Sequence, residues 1–535
     1  MTIATKVNAQ VLPITKRRTF AIISHPDAGK TTLSEKMLLY AGAIDLAGHV
    51  RARRTQRATV SDWMEMEKKR GISIASSVLQ FDYAGYVINL LDTPGHQDFS
   101  EDTYRTLAAV DSAVMVLDAA KGVEPQTRKL FEVCRLRGIP IFTFINKMDR
   151  PARDTFALLD EIQDVLGMQP VPLNWPIGDG VNFRGVFDRQ AGQVHVFSRT
   201  ERNEKRALDT LLSLDEFHEQ NRGEGSSLGD KLVQDLELLD GLDIHLDSEA
   251  VLEQKQTPVF FGSALTNFGV ELFLHKFLEL SPPPQSYKTD GEEISPLEGG
   301  FSGFVFKIQA NMDPKHRDSV AFLRVCSGVF ERGMSLVHAP TKRELRFPRT
   351  YKTFARERET VDTALPGDIL ALPNNGQISI GDTFYVGKRV EYERMPRFEA
   401  EHFAVLTNRD VLKNKQFDQG LRQLETEGAI QVLYNVNASR REPIIAAVGM
   451  LQFEVVAARL ENEYGVRTQL EPLPHEMARW LQIGEGVSMD ALARQDTILA
   501  QDSKEEYVML FKHKFMLDLM LERFPAVTFS KISAA

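Results

Sequence analysis

Ser24-His25-Pro26-Asp27-Ala28-Gly29-Lys30-Thr31-Thr32 follows an apolar run, Thr19 to Ile23, and precedes Leu33, Met37 and Leu38 at helical spacing. Strand, tight turn and helix are the context in which Gly-Lys-Thr binds nucleotide phosphates. Backbone N–H groups of such a turn and the positive end of the helix face the phosphates. Lys30 would neutralise the β- and γ-phosphates, and the Thr31 hydroxyl would hold Mg²⁺. Ser24 stands where the motif's usual opening glycine would be. A lone Gly-Lys-Thr also recurs by chance in surface turns, so its meaning depends on what lies downstream.

Downstream, the apolar run Tyr86 to Leu91 ends in Asp92-Thr93-Pro94-Gly95-His96. A carboxylate there can hold Mg²⁺ through water, and the Gly95 N–H can reach the γ-phosphate. The run Ile139 to Ile145 ends in Asn146-Lys147-Met148-Asp149. Asp149 can accept from the ring N–H and amino group of guanine, which adenine cannot match. Asn146 can bind the base edge and brace the phosphate loop, with the Lys147 stem over the base. Pro258 to Phe261 leads into Gly262-Ser263-Ala264-Leu265, whose backbone N–H groups could read the guanine oxygen. Four such loops in order, each ending a predicted strand, match the place where open α/β sheets bind ligands. GTP binding and hydrolysis are the expected chemistry.

The 535 residues are long for one core and suggest about three domains. Hydrophobic content of 43% with 26% charged residues describes a globular chain, and the net charge of −10 argues against a protein that coats nucleic acid nonspecifically. Cys134 and Cys326 fall in different predicted domains and in no metal-ligand spacing, so two reduced thiols are expected. No signal-peptide core is present and no stretch approaches ~18 uninterrupted apolar residues, so a cytoplasmic location without membrane contact is expected.

Between the phosphate loop and Asp92 runs a polar, basic segment from Arg51 to Ser77, with Arg51 to Arg54 and then Lys68-Lys69-Arg70-Gly71-Ile72-Ser73-Ile74. A GTPase needs a hydroxyl in its first switch that reaches Mg²⁺ only while the γ-phosphate is present, and Ser73 is the candidate. Ser-His-Pro-Asp-Ala-Gly-Lys-Thr-Thr, Arg-Gly-Ile-Ser-Ile, Asp-Thr-Pro-Gly-His and Asn-Lys-Met-Asp together resemble the translational GTPases of the elongation factor G and Tu class. The resemblance implies that His96 is the catalytic residue that positions the attacking water. It also places a hydrophobic gate at Pro26 and Ile72, with proline in place of a more usual aliphatic residue.

Residues 178–257 intervene before the last motif. Short strands are expected in Val181 to Phe197, and acidic helices over 201–253 carrying Leu211, Leu212, Leu232, Leu236 and Leu239. The stretch resembles the insert of elongation factor G, which elongation factor Tu lacks. Ser281-Pro282-Pro283-Pro284 marks a boundary, and short strands with regular turns from Phe301 suggest a β-barrel. Lys342 to Arg358 is basic, which suits either a solvated edge strand or contact with RNA. From His402 to Leu470 the order is β-α-β-β-α-β, a ferredoxin-like split. The expected fold class is an α/β P-loop GTPase domain with an insert subdomain, an all-β barrel domain, and an α+β, ferredoxin-like C-terminal domain. The boundaries are a lead-in 1–17, GTP-binding domain 18–280 with insert 178–257, linker 281–300, barrel 301–395 and C-terminal domain 396–535.

With 535 residues, the further domains of elongation factor G are not expected. The stretch from Phe301 to Asp318, Arg324-Val325-Cys326-Ser327-Gly328, and Gly449-Met450-Leu451-Gln452-Phe453-Glu454-Val455 resemble the bacterial termination branch of the class. That resemblance implies a ribosome-stimulated GTPase that promotes dissociation of class-one peptide release factors after termination, without reading stop codons. It implies GTP or GDP with Mg²⁺ as bound groups, the ribosome (rRNA and ribosomal proteins) and class-one release factors as partners, and a monomer. The alternatives are another translational GTPase: translocase-like, ribosome-protecting, or a carrier of RNA or protein cargo.

Overall fold

The computed structural model describes residues 13–44, 67, 73–198, 208–221, 228–289, 291–310, 319–354, 357–393, 399–438, 442–484, 492 and 497–530. The basic stretches 51–54 and 68–72, Ile72 with them, lie outside the described residues, as do 311–318, Arg356 and Pro396.

The first domain is an open sheet. Its strands are β1 (Arg17–Ser24), β2 (Ser77–Tyr83), β3 (Tyr86–Asp92), β4 (Ser112–Asp118), β5 (Ile141–Asn146), β6 (Gln169–Pro172) and β11 (Gln256–Phe261). They lie in the order β2-β3-β1-β4-β5-β11-β6. All neighbours are parallel except β2, which runs antiparallel to β3. Parallel strands need helical crossovers that cover both faces, which is why these strands read as unbroken apolar runs. The period of two sorts their side chains. Phe20 and Ile22 of β1, Val114 and Val116 of β4, and Phe142 and Phe144 of β5 face α1 (Lys30–Tyr40) and the helix Val270–Leu280. Phe277 seals that face edge-on to Phe20, with ring centroids 4.5 Å apart. Ala21, Ile23, Met115 and Ile145 face the opposite way. They meet Leu107 of α2 (Ser100–Leu107), Leu130 and Phe131 of α3 (Pro125–Leu136), and Leu158 and Ile162 of α4 (Thr155–Leu166). Every strand that carries a motif therefore presents its carboxyl end at one edge of the sheet.

Three strands of the insert, β8 (Gly185–Asp188), β9 (Gln193–Ser198) and β10 (Leu208–Ser213), form a four-stranded antiparallel sheet with β7 (Asn174–Ile177), which lies just before it, in the order β10-β9-β8-β7. Leu211 and Leu212 sit on β10, where a helix was expected. Cross-strand pairing with β9 imposes a period of two, so Leu212 turns to the core and Leu211 is 54% exposed. Leu232, Leu236 and Leu239 are buried along the helix Leu228–Gly241, as their spacing predicts.

From Ser302 an antiparallel all-β domain builds its own apolar core around Val305, Leu323, Leu336 and Phe384. The basic stretch forms the edge strand Arg343–Arg346 and the strand Tyr351–Phe354. The Tyr351–Phe354 strand touches β2 through Phe354 and Leu79 and so ties this sheet to the first. The C-terminal domain contains the predicted β-α-β-β-α-β order: His402–Asn408, Asn414–Thr426, Gln431–Asn435, Pro443–Ala447, Met450–Tyr464 and Thr468–Leu473. Four later strands extend that sheet to eight, and the helix Lys514–Arg523 packs Leu517 and Met520 against the extension.

Candidate nucleotide site

The phosphate loop leaves β1 at Ser24 and enters α1 at Lys30. Asp27 and Gly29 both take positive φ, 106° and 95°, which turns the loop so that successive N–H groups can face one concavity. Only glycine fits at position 29, because a Cβ there would collide with Asn146 Nδ2. Lys30 is buried and its Nζ donates to the Thr93 carbonyl. The Thr93 hydroxyl in turn donates to the Ile22 carbonyl at 2.7 Å, fixing the start of the second motif against β1. Gly95 lies close enough that a Cβ on it would be 3.5 Å from Lys30 Nζ and 3.6 Å from Pro26 Cα. Pro26 and Asp27 are exposed, Ala28 is buried, and Thr31 and Thr32 are half-buried.

Asn146 is the centre of the arrangement. Its Nδ2 donates to the Ala28 carbonyl at 2.7 Å, and its Oδ1 accepts from the Ala264 N–H at 2.9 Å. One amide side chain thereby bridges three of the four loops. The Ser263 hydroxyl donates to Asp149 Oδ1 at 2.6 Å, which orients that carboxylate. The Ser263 N–H is committed to the Phe268 carbonyl and the Ala264 N–H to Asn146. Leu265 is 52% exposed at the rim, while Met148 is buried and its N–H donates to the Gly262 carbonyl.

Asp118, Glu124 and Asp98 were missed by the motif reading. Asp118 ends β4 and sits 2.8 Å from Lys147 Nζ. Burial alone would raise its pKa, but Lys147 and the Ala120 N–H hold it below the ordinary carboxylate value. A carboxylate at the end of an apolar run was the signal available for it. Glu124 lies 2.7 Å from the buried His25 ring, whose pKa is lowered by burial against the opposing pull of that carboxylate. His96 is one-third exposed. Its Nδ1 accepts from the Asp98 N–H at 3.3 Å and lies 3.3 Å from Asp98 Oδ1. Ser73 is buried next to Ile74, whose side chain packs on Phe99 and Val455 at the junction with the C-terminal domain.

Among the described residues no three or more His, Cys, Asp or Glu side chains are grouped to hold a metal ion. The donors present are the Thr31 hydroxyl and the Asp92 carboxylate, the latter buried at the end of β3. A few hard oxygen donors suit Mg²⁺, which keeps waters and binds largely through phosphates.

Three family models match the chain in succession: the elongation factor Tu GTP binding domain over residues 15–283, elongation factor G domain 2 over 300–387, and the class II release factor RF3 C-terminal domain over 392–521. A peptide chain release factor 3 of Cyanothece sp. is 55% identical over 97% of this chain and 96% of that protein. The chain belongs to the peptide chain release factor 3 family. Others of that name, from Nostoc punctiforme and Gloeobacter violaceus, are 55% and 54% identical, each over 97% of this chain and 95% and 98% of theirs. A solved protein of Thermus thermophilus shares the fold at a TM-score of 0.67 and 23% identity, over 91% of this chain and 71% of that one. Membership makes this protein a guanine-nucleotide-binding translational GTPase of the termination branch, working with the ribosome. Among the described residues no helix is long and apolar enough to cross a membrane.

Proposed function

We propose that the protein hydrolyses GTP on the ribosome so as to promote dissociation of class-one release factors after termination, acting as a cytoplasmic monomer that does not itself read stop codons. The observation that carries the nucleotide chemistry is the Asn146 bridge, which holds the phosphate loop, the base-binding loop and the 263–265 loop at one sheet edge. In this reading the phosphates lie on the 24–32 N–H groups with Lys30 neutralising their charge, Asp149 selects guanine, and Ser263 presents Asp149. Thr31, Ser73 and Asp92 (via water) are the residues that would hold Mg²⁺, which would neutralise developing phosphate charge. His96 positions the attacking water. Contacts to the γ-phosphate order the segments around Ser73 and after Asp92, and hydrolysis removes them. The factor can shift the ribosome only through its different affinity for two ribosome states, and we assign the higher affinity to the state in which class-one factors bind poorly.

The test is the dissociation rate of a labelled class-one release factor from post-hydrolysis ribosomes. GTP-dependent acceleration by this protein is expected, and no acceleration despite ribosome-stimulated hydrolysis would move the function elsewhere in translation. His96→Ala should slow ribosome-stimulated hydrolysis by about 10²-fold with GTP binding retained. Asp149→Asn should relax guanine preference toward xanthine nucleotides, measured by competition binding.

A further inference from the structure

Asp98 reaches out of its own domain. Its Oδ2 accepts from the backbone N–H of Leu451 at 2.8 Å, in the first turn of the helix Met450–Tyr464. Its Oδ1 lies 3.3 Å from His96 Nδ1, and its own N–H donates to that nitrogen. The carboxylate side chain is only 11% exposed. A carboxylate at a helix N-terminus satisfies an orphan N–H and complements the helix dipole. Here the carboxylate and the helix come from different domains, 353 residues apart in the chain.

Two further features belong to the same contact. Gly449 precedes the helix, and a Cβ at that position would collide with the Asp98 carboxylate, so the close approach depends on glycine. Ile74, Phe99 and Val455 form a small apolar cluster separate from the domain cores, with Leu451 packed against it. The residue after Ser73 and the residue after Asp98 thus both rest on this one helix.

We propose that Asp98 is a positioning residue for His96, through which the helix Met450–Tyr464 sets the orientation of the imidazole. The proposal rests on His96 as the residue that positions water. Asp98 meets the ring at Nδ1, through its backbone N–H while Nδ1 is unprotonated or through Oδ1 once Nδ1 carries the proton, and among the described residues no group is hydrogen-bonded to Nε2, which leaves Nε2 for the water. Moving the helix removes the N–H that anchors the Asp98 carboxylate, and the ring loses its fixed neighbour. The C-terminal domain can then act on hydrolysis without touching the nucleotide.

The experiment uses the full chain with ribosomes and GTP and compares Asp98→Asn, Gly449→Ala, His96→Ala and their pairwise doubles. Asp98→Asn keeps the side-chain shape and an acceptor oxygen but loses the charge. It should lower kcat about tenfold with KM for GTP within about twofold, the split expected of a transition-state interaction. Gly449→Ala should lower kcat in the same direction, although residue 449 lies in another domain. The Asp98→Asn/Gly449→Ala double should be no slower than the slower single, because the two changes break one contact. Asp98→Asn should add nothing to His96→Ala. Wild-type kcat in both Asp98→Asn and Gly449→Ala, with His96→Ala slow, would overturn the proposal and leave His96 in place. Losses that multiply in the Asp98→Asn/His96→Ala double would overturn it as well. Unchanged turnover by His96→Ala would instead remove the reading on which it rests.

Discussion

Along the seam with the barrel, the nucleotide domain is held by a network of buried polar groups, whereas along the seam with the C-terminal domain it is held by a few contacts beside a small cleft. At the first seam Arg324, fully buried, donates to Asp111 Oδ2 at 2.6 Å and to the Gly367 carbonyl at 2.6 Å. The same carbonyl accepts from Thr19 Oγ1 and Asn89 Nδ2, and Arg17 pairs with Asp368 at 2.9 Å. Burial alone would lower the Arg324 pKa, but the adjacent Asp111 holds it above its ordinary value, while burial raises the Asp111 pKa against the pull of Arg324. At the second seam stand Asp98 on Leu451, Arg105 on the Gly428 carbonyl at 3.3 Å, and the Ile74–Phe99–Val455 cluster. Beside them lies a small cleft of about 70 Å³ lined by Phe99, Arg105, Lys307, Glu427, Val455 and Arg459. Buried charges without their partners are costly, so the first seam has one arrangement. A small apolar cluster beside a cleft can be repacked at far less cost, and it is the seam that touches the Ser73 and His96 segments.

The largest expected effect comes from breaking the first seam. Asp111→Ala would strand the Arg324 guanidinium and should destabilise the chain by about 3–5 kcal/mol, read from the first transition in chemical denaturation. A loss under about 1 kcal/mol would show that water or another group reaches Arg324, and the contrast between the seams would weaken. At the second seam, Val455→Ala removes two buried methyl groups and should cost about 1.5 kcal/mol or less. Its larger consequence should be a changed ribosome-stimulated rate; a large loss of global stability instead would put Val455 in a true core.

The smallest effect sharpens the comparison by pH. Burial pushes the Asp102 pKa up, but Lys307, the Ser76 hydrogen bonds and Arg105 pull it below the ordinary carboxylate value. A carboxyl depressed in the folded state contributes stability above its unfolded pKa and loses it as pH falls through the folded one. Acidification below the ordinary carboxylate range should therefore loosen Lys307 and Ser76 first. The Ser76 amide, which donates to Asp102 at 2.6 Å, should lose hydrogen-exchange protection there before the Arg324 region does. Simultaneous loss at both places would mean that the contacts between the nucleotide domain and the barrel open as one unit.

Much of this was legible from residue order. The phosphate loop, Asp92 to His96, Asn146 to Asp149 and Ser263 to Leu265 each combine an apolar run with its terminal loop, and a local pattern of that kind can be read without coordinates. The ferredoxin-like order was legible because its helices and strands have distinct periods. Leu211 and Leu212 misled because two adjacent leucines fit a helix or a strand equally well, and pairing with β9 decided between them. Asp118 and Glu124 were hidden because Lys147 and His25, the groups they meet, lie on other loops.

By itself the sequence picked out the four loops to which we assign phosphate, base and water chemistry, because each is one strand end followed by a fixed set of side chains. Only the tertiary structure decided that Asn146 would join three loops, that Arg324 would be buried against Asp111, and that Asp98 would anchor the helix beginning at Met450. Those pairings join positions more than a hundred residues apart. They depend on how finished domains fit together, and no local pattern of apolar and polar residues encodes that fit.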